Sequence, residues 1–313
     1  MKKRIVLALG GNALQKNGEV TAEAQKKVAS TVGIVVAALA HKYEIVIAHG
    51  NGPQVGNILI HEEQASSEKA PAMPLETAVA MSQGQIGYWL TQAIHNAFIR
   101  KGINRKIATI ISQAVVDIND PAFRNPTKPI GQFYNEKQAK ALAKVNHLTV
   151  KDDAGRGWRR VVASPKPIDI VEKHTIRELI KDGVIVIAVG GGGIPVYRTK
   201  VLKRLKGIDA VIDKDFAAEC LAEEVKANIF VSVTAVPNAF INYGSSNAKA
   251  INRITTKELK QYIEAGYFKA GSMLPKIQAA TTFASKQGRI GIITDINHLA
   301  DALMGKAGTI ITK

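Results

Sequence analysis

Two short segments carry lysines where helices begin. Residues 209–215 read Asp-Ala-Val-Ile-Asp-Lys-Asp, and residues 271–276 read Gly-Ser-Met-Leu-Pro-Lys. Asp213 is a good N-cap for a helix opening at Lys214, and Pro275 suits the first turn of a helix that reaches Lys276. A cation at a helix N-terminus faces the positive end of the macrodipole, which costs a few tenths to about 1 kcal/mol. Two helix starts that both place lysine there imply an anion between them. Phosphate fits, because the free N–H groups of such ends bind it. Three Gly-rich turns follow apolar runs: Gly10-Gly11-Asn12, His49-Gly50-Asn51-Gly52-Pro53, and Gly190 to Gly193. Glycine lets the backbone approach a ligand and aim its N–H groups at an anion. One Gly-Gly alone is more often a tight connection; three such turns, two of them with Asn, favour binding. Lys128, held extended by Pro129, is a third lysine of this kind. Asp215 is a weaker candidate, since acidic residues are common in first turns. Phosphoryl transfer needs in-line positioning and neutralised charge more than covalent chemistry. The glycine turns with Lys128, Lys214 and Lys276 would supply both, with Mg²⁺ bridging phosphates.

Other chemistries lack their residues. There is no G-x-x-x-x-G-K-[ST] loop, no G-x-G-x-x-G opening the first helix, no protein-kinase motif set, and no H-E-x-x-H or cysteine cluster for a catalytic zinc.

Apolar, β-rich runs recur at 4–9, 44–49, 107–112, 184–189, 229–234, 289–294 and 309–312. Helical patterns lie between most of them, at 22–42, 75–101, 169–181, 215–226, 256–265, 275–286 and 297–304. Thr255 with Glu258 reads as a capping box, and Gly266 as a C-terminal stop. Strand–helix alternation with continuous apolar strands predicts a mainly parallel sheet covered on both faces, an open three-layer αβα sandwich in which ligands sit beyond the carboxyl ends of strands. Residues 125–167 break the alternation. They are basic and Pro-flanked, and they contain a hairpin pattern around Lys151-Asp-Asp-Ala-Gly-Arg-Gly, so they read as an inserted subdomain.

The chain has 313 residues, 46% of them apolar, enough to build a full core. One cysteine, Cys220, excludes an intrachain disulfide and fits a reducing interior. The start, Met1-Lys2-Lys3-Arg4 before five apolar residues, imitates a signal peptide but is too short, and no later run could span a bilayer. The expectation is a soluble cytoplasmic protein. The net charge of +16 raises nucleic acid or an acidic membrane as partners. Aromatics are only 5%, and no block of five like charges occurs, so anionic small substrates fit better.

Together these segments resemble carbamate kinase, within the amino-acid kinase superfamily. The matching stretches include Ala8-Leu-Gly-Gly-Asn-Ala13, His49-Gly-Asn-Gly-Pro-Gln-Val-Gly56, Met81-Ser-Gln-Gly-Gln-Ile-Gly-Tyr-Trp89, Asn125-Pro-Thr-Lys-Pro-Ile-Gly131, Asp153-Ala-Gly-Arg-Gly-Trp-Arg159, Ser164-Pro-Lys-Pro167, Gly190-Gly-Gly-Gly-Ile-Pro195, Ala210-Val-Ile-Asp-Lys-Asp215 and Gly271-Ser-Met-Leu-Pro-Lys276. They span the chain from first strand to last helices. Gly-Gly-Asn marks only the superfamily, whereas the inserted Lys128 motif with Gly-Ser-Met-Leu-Pro-Lys is specific. The resemblance implies a homodimer with two lobes, 1–190 on the carbamate side and 191–313 on the nucleotide side, with 125–167 protruding. It implies reversible, direct, Mg²⁺-dependent transfer between ATP and carbamate, run toward ATP in arginine breakdown. By motif, Lys128 reaches from the protruding part to the phosphoryl donor or acceptor, Lys214 and Lys276 balance the charge of the phosphoryl group in flight, and Asp213 orients the lysines. Gly10, Gly11, Asn12, Gly50, Asn51 and Gly52 would cradle phosphoryl and carbamate. Gly191, Gly192, Thr234, Tyr243, Ser272 and Met273 would face the nucleotide, and the metal would be held by phosphates. After Val231-Ser-Val-Thr234 relatives often carry an acidic residue; this chain reads Ala235-Val-Pro-Asn-Ala239, which alters the expected base contacts. Rival readings are a kinase of a larger carboxylate, or a nucleotide-sensing or nucleic-acid-binding protein that kept the fold.

Overall fold

The computed structural model describes residues 2–11, 19–146, 148–153, 155–269 and 271–313. Its centre is an eight-stranded sheet in the order Arg253–Thr255, Thr309–Thr312, Ile290–Asp295, Ile229–Thr234, Lys3–Leu9, Tyr43–His49, Ile185–Ile187, Ile107–Thr109. Every neighbouring pair is parallel except Ile290–Asp295 with Thr309–Thr312. The apolar runs of the sequence become these strands because both faces are buried. Val6, Ala8, Val46 and Phe230 point to one face, Ile5, Leu7, Ile45 and Val231 to the other. Fully burying one such side chain contributes roughly 1.5–3 kcal/mol.

Helices cover each face. Ala22–Leu39 and Leu75–Lys101 lie on the Leu7 side; Lys173–Lys181, Lys214–Glu224, Thr256–Glu264 and Met273–Ala284 lie on the Val6 side. The expected αβα sandwich is therefore present. Thr255 and Glu258 form the capping box: the Thr255 N–H donates to Glu258 Oε2 at 2.9 Å, and the Glu258 N–H donates to Thr255 Oγ1 at 3.2 Å. That helix ends at Glu264, just before Gly266 at φ 76°.

Several elements differ from the sequence expectations. The helix expected from 169 begins only at Lys173, because Pro167–Ile170 pairs with Gln113–Val116 in a second, four-stranded sheet. The helix expected from 275 begins two residues earlier, at Met273. Gly52–Ala65 is a helix although its start read only as a turn. Pro53 fits its first turn, where no intrahelical N–H is needed, and Val55 and Leu59 form the buried stripe. Within 125–167, Lys128–Tyr134, Trp158–Val162 and Val150–Asp152 form a separate antiparallel sheet, with the helix Glu136–Asn146 beside it. Among the described residues, no helix is long and apolar enough to cross a membrane.

Candidate active site

The carboxyl ends of the central strands open into one cavity of about 340 Å³. Gly10 and Gly11 follow the strand Lys3–Leu9, Gly50, Asn51 and Gly52 follow Tyr43–His49, and Thr234 ends Ile229–Thr234 with Ala235 just after it; all line the cavity. Parallel strands start these turns at one level. The Gly10 N–H donates to Val233 O at 2.9 Å, and the Gly50 N–H to Leu9 O at 2.9 Å. A side chain at Gly50 would press on the Lys214 stem, its Cβ lying 3.3 Å from Lys214 Cδ, so glycine here makes room for the lysine.

Lys214 and Lys276 enter from two packed helices. Lys214 is the first residue of its helix, capped by Asp213, whose Oδ1 accepts the Asp215 N–H at 3.0 Å. Lys276 sits one turn into Met273–Ala284 rather than at its tip. The two ammonium groups converge on a single carboxylate. Lys214 Nζ donates to Asp215 Oδ1 and Lys276 Nζ to Asp215 Oδ2, each at 2.8 Å. Ser232 Oγ donates to Asp215 Oδ1 at 2.6 Å. Lys128 arrives from the antiparallel sheet and donates to Asp213 Oδ2 at 3.1 Å. Asp213 thus combines two jobs, capping a helix and holding a lysine.

Among the described residues, three ammonium groups against two carboxylates leave the cavity positive. Asp215 is 2% exposed; burial alone would raise its pKa, but Lys214 and Lys276 hold it well below the usual carboxylate range. Burial lowers Lys214 to about 8, against the pull of Asp215 and with the push of Lys276. Lys276 goes the other way: burial would lower it, but Asp215 raises it. Two cations sharing one anion are unequal, and Lys214 is the one nearer to losing its proton.

A second layer holds the turns. Asn51 Nδ2 donates to Ser82 Oγ at 2.8 Å, and Gln83 brackets Ser112, accepting its N–H at 2.8 Å and donating to its carbonyl at 3.0 Å. The Met81-Ser-Gln motif therefore supports the glycine turns from behind. Gly191 lines the cavity at φ 65°, and a Cβ there would lie 2.2 Å from Asn51 Nδ2.

Of the remaining expected residues, Ser272 lines the cavity. Gly192 does not; at φ 93° it packs against the Ile212 carbonyl. Met273 is half-buried against the helical core, and Tyr243 is 71% exposed beside Phe240; neither lines the cavity. Asn12 lies outside the described residues. Asp215, a weaker candidate by sequence, is the shared anion of the site, and Ser232, which no motif marks, is its third partner. An acid flanked by lysine at a helix start was visible, but only the fold reveals that it is buried and shared.

A glycine-lined, lysine-rich cavity at the carboxyl ends of a parallel sheet defines a phosphate-handling enzyme of the αβα class. The amino acid kinase family model matches residues 3–295, and the chain belongs to that family, in its carbamate kinase branch. The carbamate kinase of Pyrococcus horikoshii is 49% identical over 100% of both chains, and carbamate kinase 1 of Enterococcus faecium 48% identical over 100% of both. The solved structure of carbamate kinase from Giardia lamblia bound to AMP-PNP superposes with a TM-score of 0.94 at 41% identity, covering 100% of this chain and 99% of that one.

Proposed function

We propose that this kinase transfers a phosphoryl group reversibly between ATP and carbamate. The observation that carries the reading is the sharing of Asp215 by Lys214 and Lys276, with Lys128 on Asp213, over the glycine turns. Toward ATP, a β-phosphate oxygen of ADP attacks the phosphorus of carbamoyl phosphate. The bond from phosphorus to the carbamoyl oxygen breaks, and carbamate leaves with its electron pair. Charge spreads over the three equatorial oxygens, and ammonium groups around them lower the barrier. Lys214 and Lys276 are the pair for the moving group and Lys128 the third contact, with Asp215 and Asp213 holding them. The Gly10, Gly11, Gly50 and Gly52 backbone would take the phosphoryl side. Thr234, Gly191 and Ser272 would face the nucleotide, with ATP or ADP held within 191–313 and carbamate within 1–190.

Mg²⁺ belongs to this reading. Both cavity carboxylates are committed to lysines, and among the described residues no group of three or more His, Cys, Asp or Glu gathers as a cage. The ion would ride on the nucleotide's phosphates, the usual habit of this hard cation, and there neutralise charge. Met81, Tyr88 and Ile99 are exposed along one stripe of the helix Leu75–Lys101, which supports a homodimer.

Coupled production of ATP from ADP and carbamoyl phosphate, with and without Mg²⁺, tests the proposal. Mg²⁺-dependent ATP formation is expected. A folded enzyme that makes none, yet phosphorylates acetylglutamate, glutamate or aspartate, overturns it.

A further inference from the structure

On the strand Ile229–Thr234, alternation puts Phe230, Ser232 and Thr234 on the Val6 side of the sheet. Phe230 is buried in that core, and Thr234 lines the lysine cavity. Ser232 lies between them and is fully buried. Its neighbours across the sheet are Ala8 on one side and Ile293 on the other, both in the same apolar core. A strand covered on both faces normally carries apolar residues at such a position, and a hydroxyl placed there needs a partner. Alanine would make the same room for the helix Lys214–Glu224 above it, so the hydroxyl is the part that calls for a reason.

Among the described residues, that partner is a single atom. Ser232 Oγ donates to Asp215 Oδ1 at 2.6 Å, and Lys214 Nζ donates to the same oxygen at 2.8 Å. Lys276 Nζ takes the other oxygen, Oδ2, at 2.8 Å. The carboxylate is therefore loaded unevenly, with two donors on Oδ1 and one on Oδ2. A hydroxyl on a carboxylate oxygen makes a short, charge-assisted bond, and it uses part of the charge that Lys214 would otherwise hold. It also does not depend on Lys214. If Lys214 turned toward an anion in the cavity with no serine present, Oδ1 would be left buried without a donor, a costly state for a charged oxygen. Asp215 is 2% exposed, so bulk water does not take over the role. With Ser232 beneath it, Oδ1 keeps a donor throughout.

We infer that Ser232 is a positioning residue: by holding Asp215 Oδ1, it lets Lys214 leave that oxygen for the phosphoryl group while Lys276 stays on Oδ2. The inference rests on the phosphotransferase reading above and gives the two lysines different duties. Lys276 is the anchored cation, and Lys214 is the one that moves. The electrostatics agree with the geometry. Burial lowers the Lys214 ammonium to about 8, whereas for Lys276 burial is outweighed by Asp215, which raises it. Besides burial, the charged groups acting on Lys214 are Asp215, Lys276 and Asp213, the last held by Lys128. Replacing Ser232 by alanine alters none of them.

The test compares Ser232→Ala with Ser232→Thr, which keeps the hydroxyl. In Ser232→Ala, Asp215 holds Lys214 more tightly. The value of kcat is expected to fall roughly three- to tenfold, with KM for ADP and for carbamoyl phosphate within about twofold of wild type. The alkaline limb of kcat/KM should move up by about half a pH unit or more, because a carboxylate with one donor fewer favours the charged lysine. Ser232→Thr should keep the wild-type limb. A loss of packing alone would lower activity without moving the limb. Trace acetylation with acetic anhydride from neutral to alkaline pH, read at Lys214 by peptide mass spectrometry, follows the same ionisation without turnover. Its midpoint should rise in Ser232→Ala by the same amount. A midpoint and limb that stay in place or drop in Ser232→Ala, or a limb displaced equally by Ser232→Thr, overturns the inference. A wild type that turns over no carbamoyl phosphate, while Ser232→Ala still shifts the Lys214 midpoint, would sink the proposed function and leave the hold of Ser232 on the lysine pair standing.

Discussion

Lys276 donates to Asp215 at 2.8 Å across 61 residues of sequence, on the oxygen that Lys214 leaves free. Each lysine occupies one oxygen of the same buried carboxylate. This fixes the spacing of two ammonium groups that would otherwise repel, and it presents them together at the cavity floor. Asp215 is thus the residue that makes the lysine pair possible.

Replacing Asp215 by Asn should therefore damage folding and turnover together. The amide keeps the shape but leaves two largely buried cations without their anion. Breaking a buried pair in this way costs about 3–5 kcal/mol. Turnover should fall roughly 10²- to 10³-fold as the lysines lose position. Urea denaturation and steady-state kinetics check both effects. Since sulfate or ATP would supply the missing negative charge, either should recover part of the lost stability.

Lys214→Ala and Lys276→Ala separate catalysis from folding. Each removes one cation and leaves Asp215 paired with the other, so the fold survives. The charge on the moving phosphoryl group is then screened by one ammonium fewer, and kcat should drop by roughly 10² or more. Near-normal turnover in either variant, with circular dichroism unchanged, removes that lysine from the mechanism.

The lowered pKa of Lys214 gives a pH signature. The protonated form is the one that screens phosphate, so activity is present below about pH 8 and is lost as pH rises through it. The profile of kcat/KM, which reports the free enzyme, should show an alkaline limb near pH 8. The kcat profile should turn down at higher pH, because bound phosphate favours the charged lysine. Identical limbs in both profiles, or the same limb in Lys214→Ala, would assign it elsewhere.

Much of this site is legible in the sequence, because its parts are local. A glycine turn after an apolar run, an Asp before Lys, and a Pro in a first turn each announce themselves within a few residues. The strands of the large sheet are readable for the same reason: both faces are buried, so the apolar run is unbroken. What the sequence hides is joint placement. Gly52–Ala65 shows a start signal that fits a turn equally well, and Pro167–Ile170 becomes a strand only because Gln113–Val116 lies beside it. The value of Asp215 depends on Lys276 arriving from another helix, and the exposure of Tyr243 on a loop that no motif fixes.

His49 sets an acid limit on stability. It is buried behind the glycine turns, its Nδ1–H donates to the Gly50 carbonyl at 2.9 Å, and burial lowers its pKa to about 4. In the unfolded chain it titrates near 6.5, so between pH 6.5 and about 4 the unfolded state binds the extra proton. Its contribution is therefore fully present above pH 6.5 and falls with pH toward 4, by about 3 kcal/mol in all. Glu219 acts with the opposite sign over part of this range. Burial and then Glu223 raise it to about 7, so the folded state holds the proton there and stability gains as pH falls. The two are separated by subtraction: the difference in unfolding free energy between wild type and His49→Gln should change across pH 4–6.5, and a pH-independent difference would refute the assignment.

Gly191→Ala tests the coupling between turns. Its φ of 65° strains any side chain, and the new Cβ would meet the Asn51 amide at 2.2 Å. The Asn51 side chain is short and already tied to Ser82, so it cannot swing clear without losing that bond. The strain and the broken contact together should cost about 1–3 kcal/mol. The sharper expectation concerns function. Asn51 is displaced from the wall of the lysine cavity, so kcat/KM for carbamoyl phosphate should fall. Asn51→Ala in the Gly191→Ala background relieves the clash. If steric displacement of Asn51 is the cause, the double variant should be more stable than Gly191→Ala alone, and a purely additive loss of stability would show that the two turns are independent.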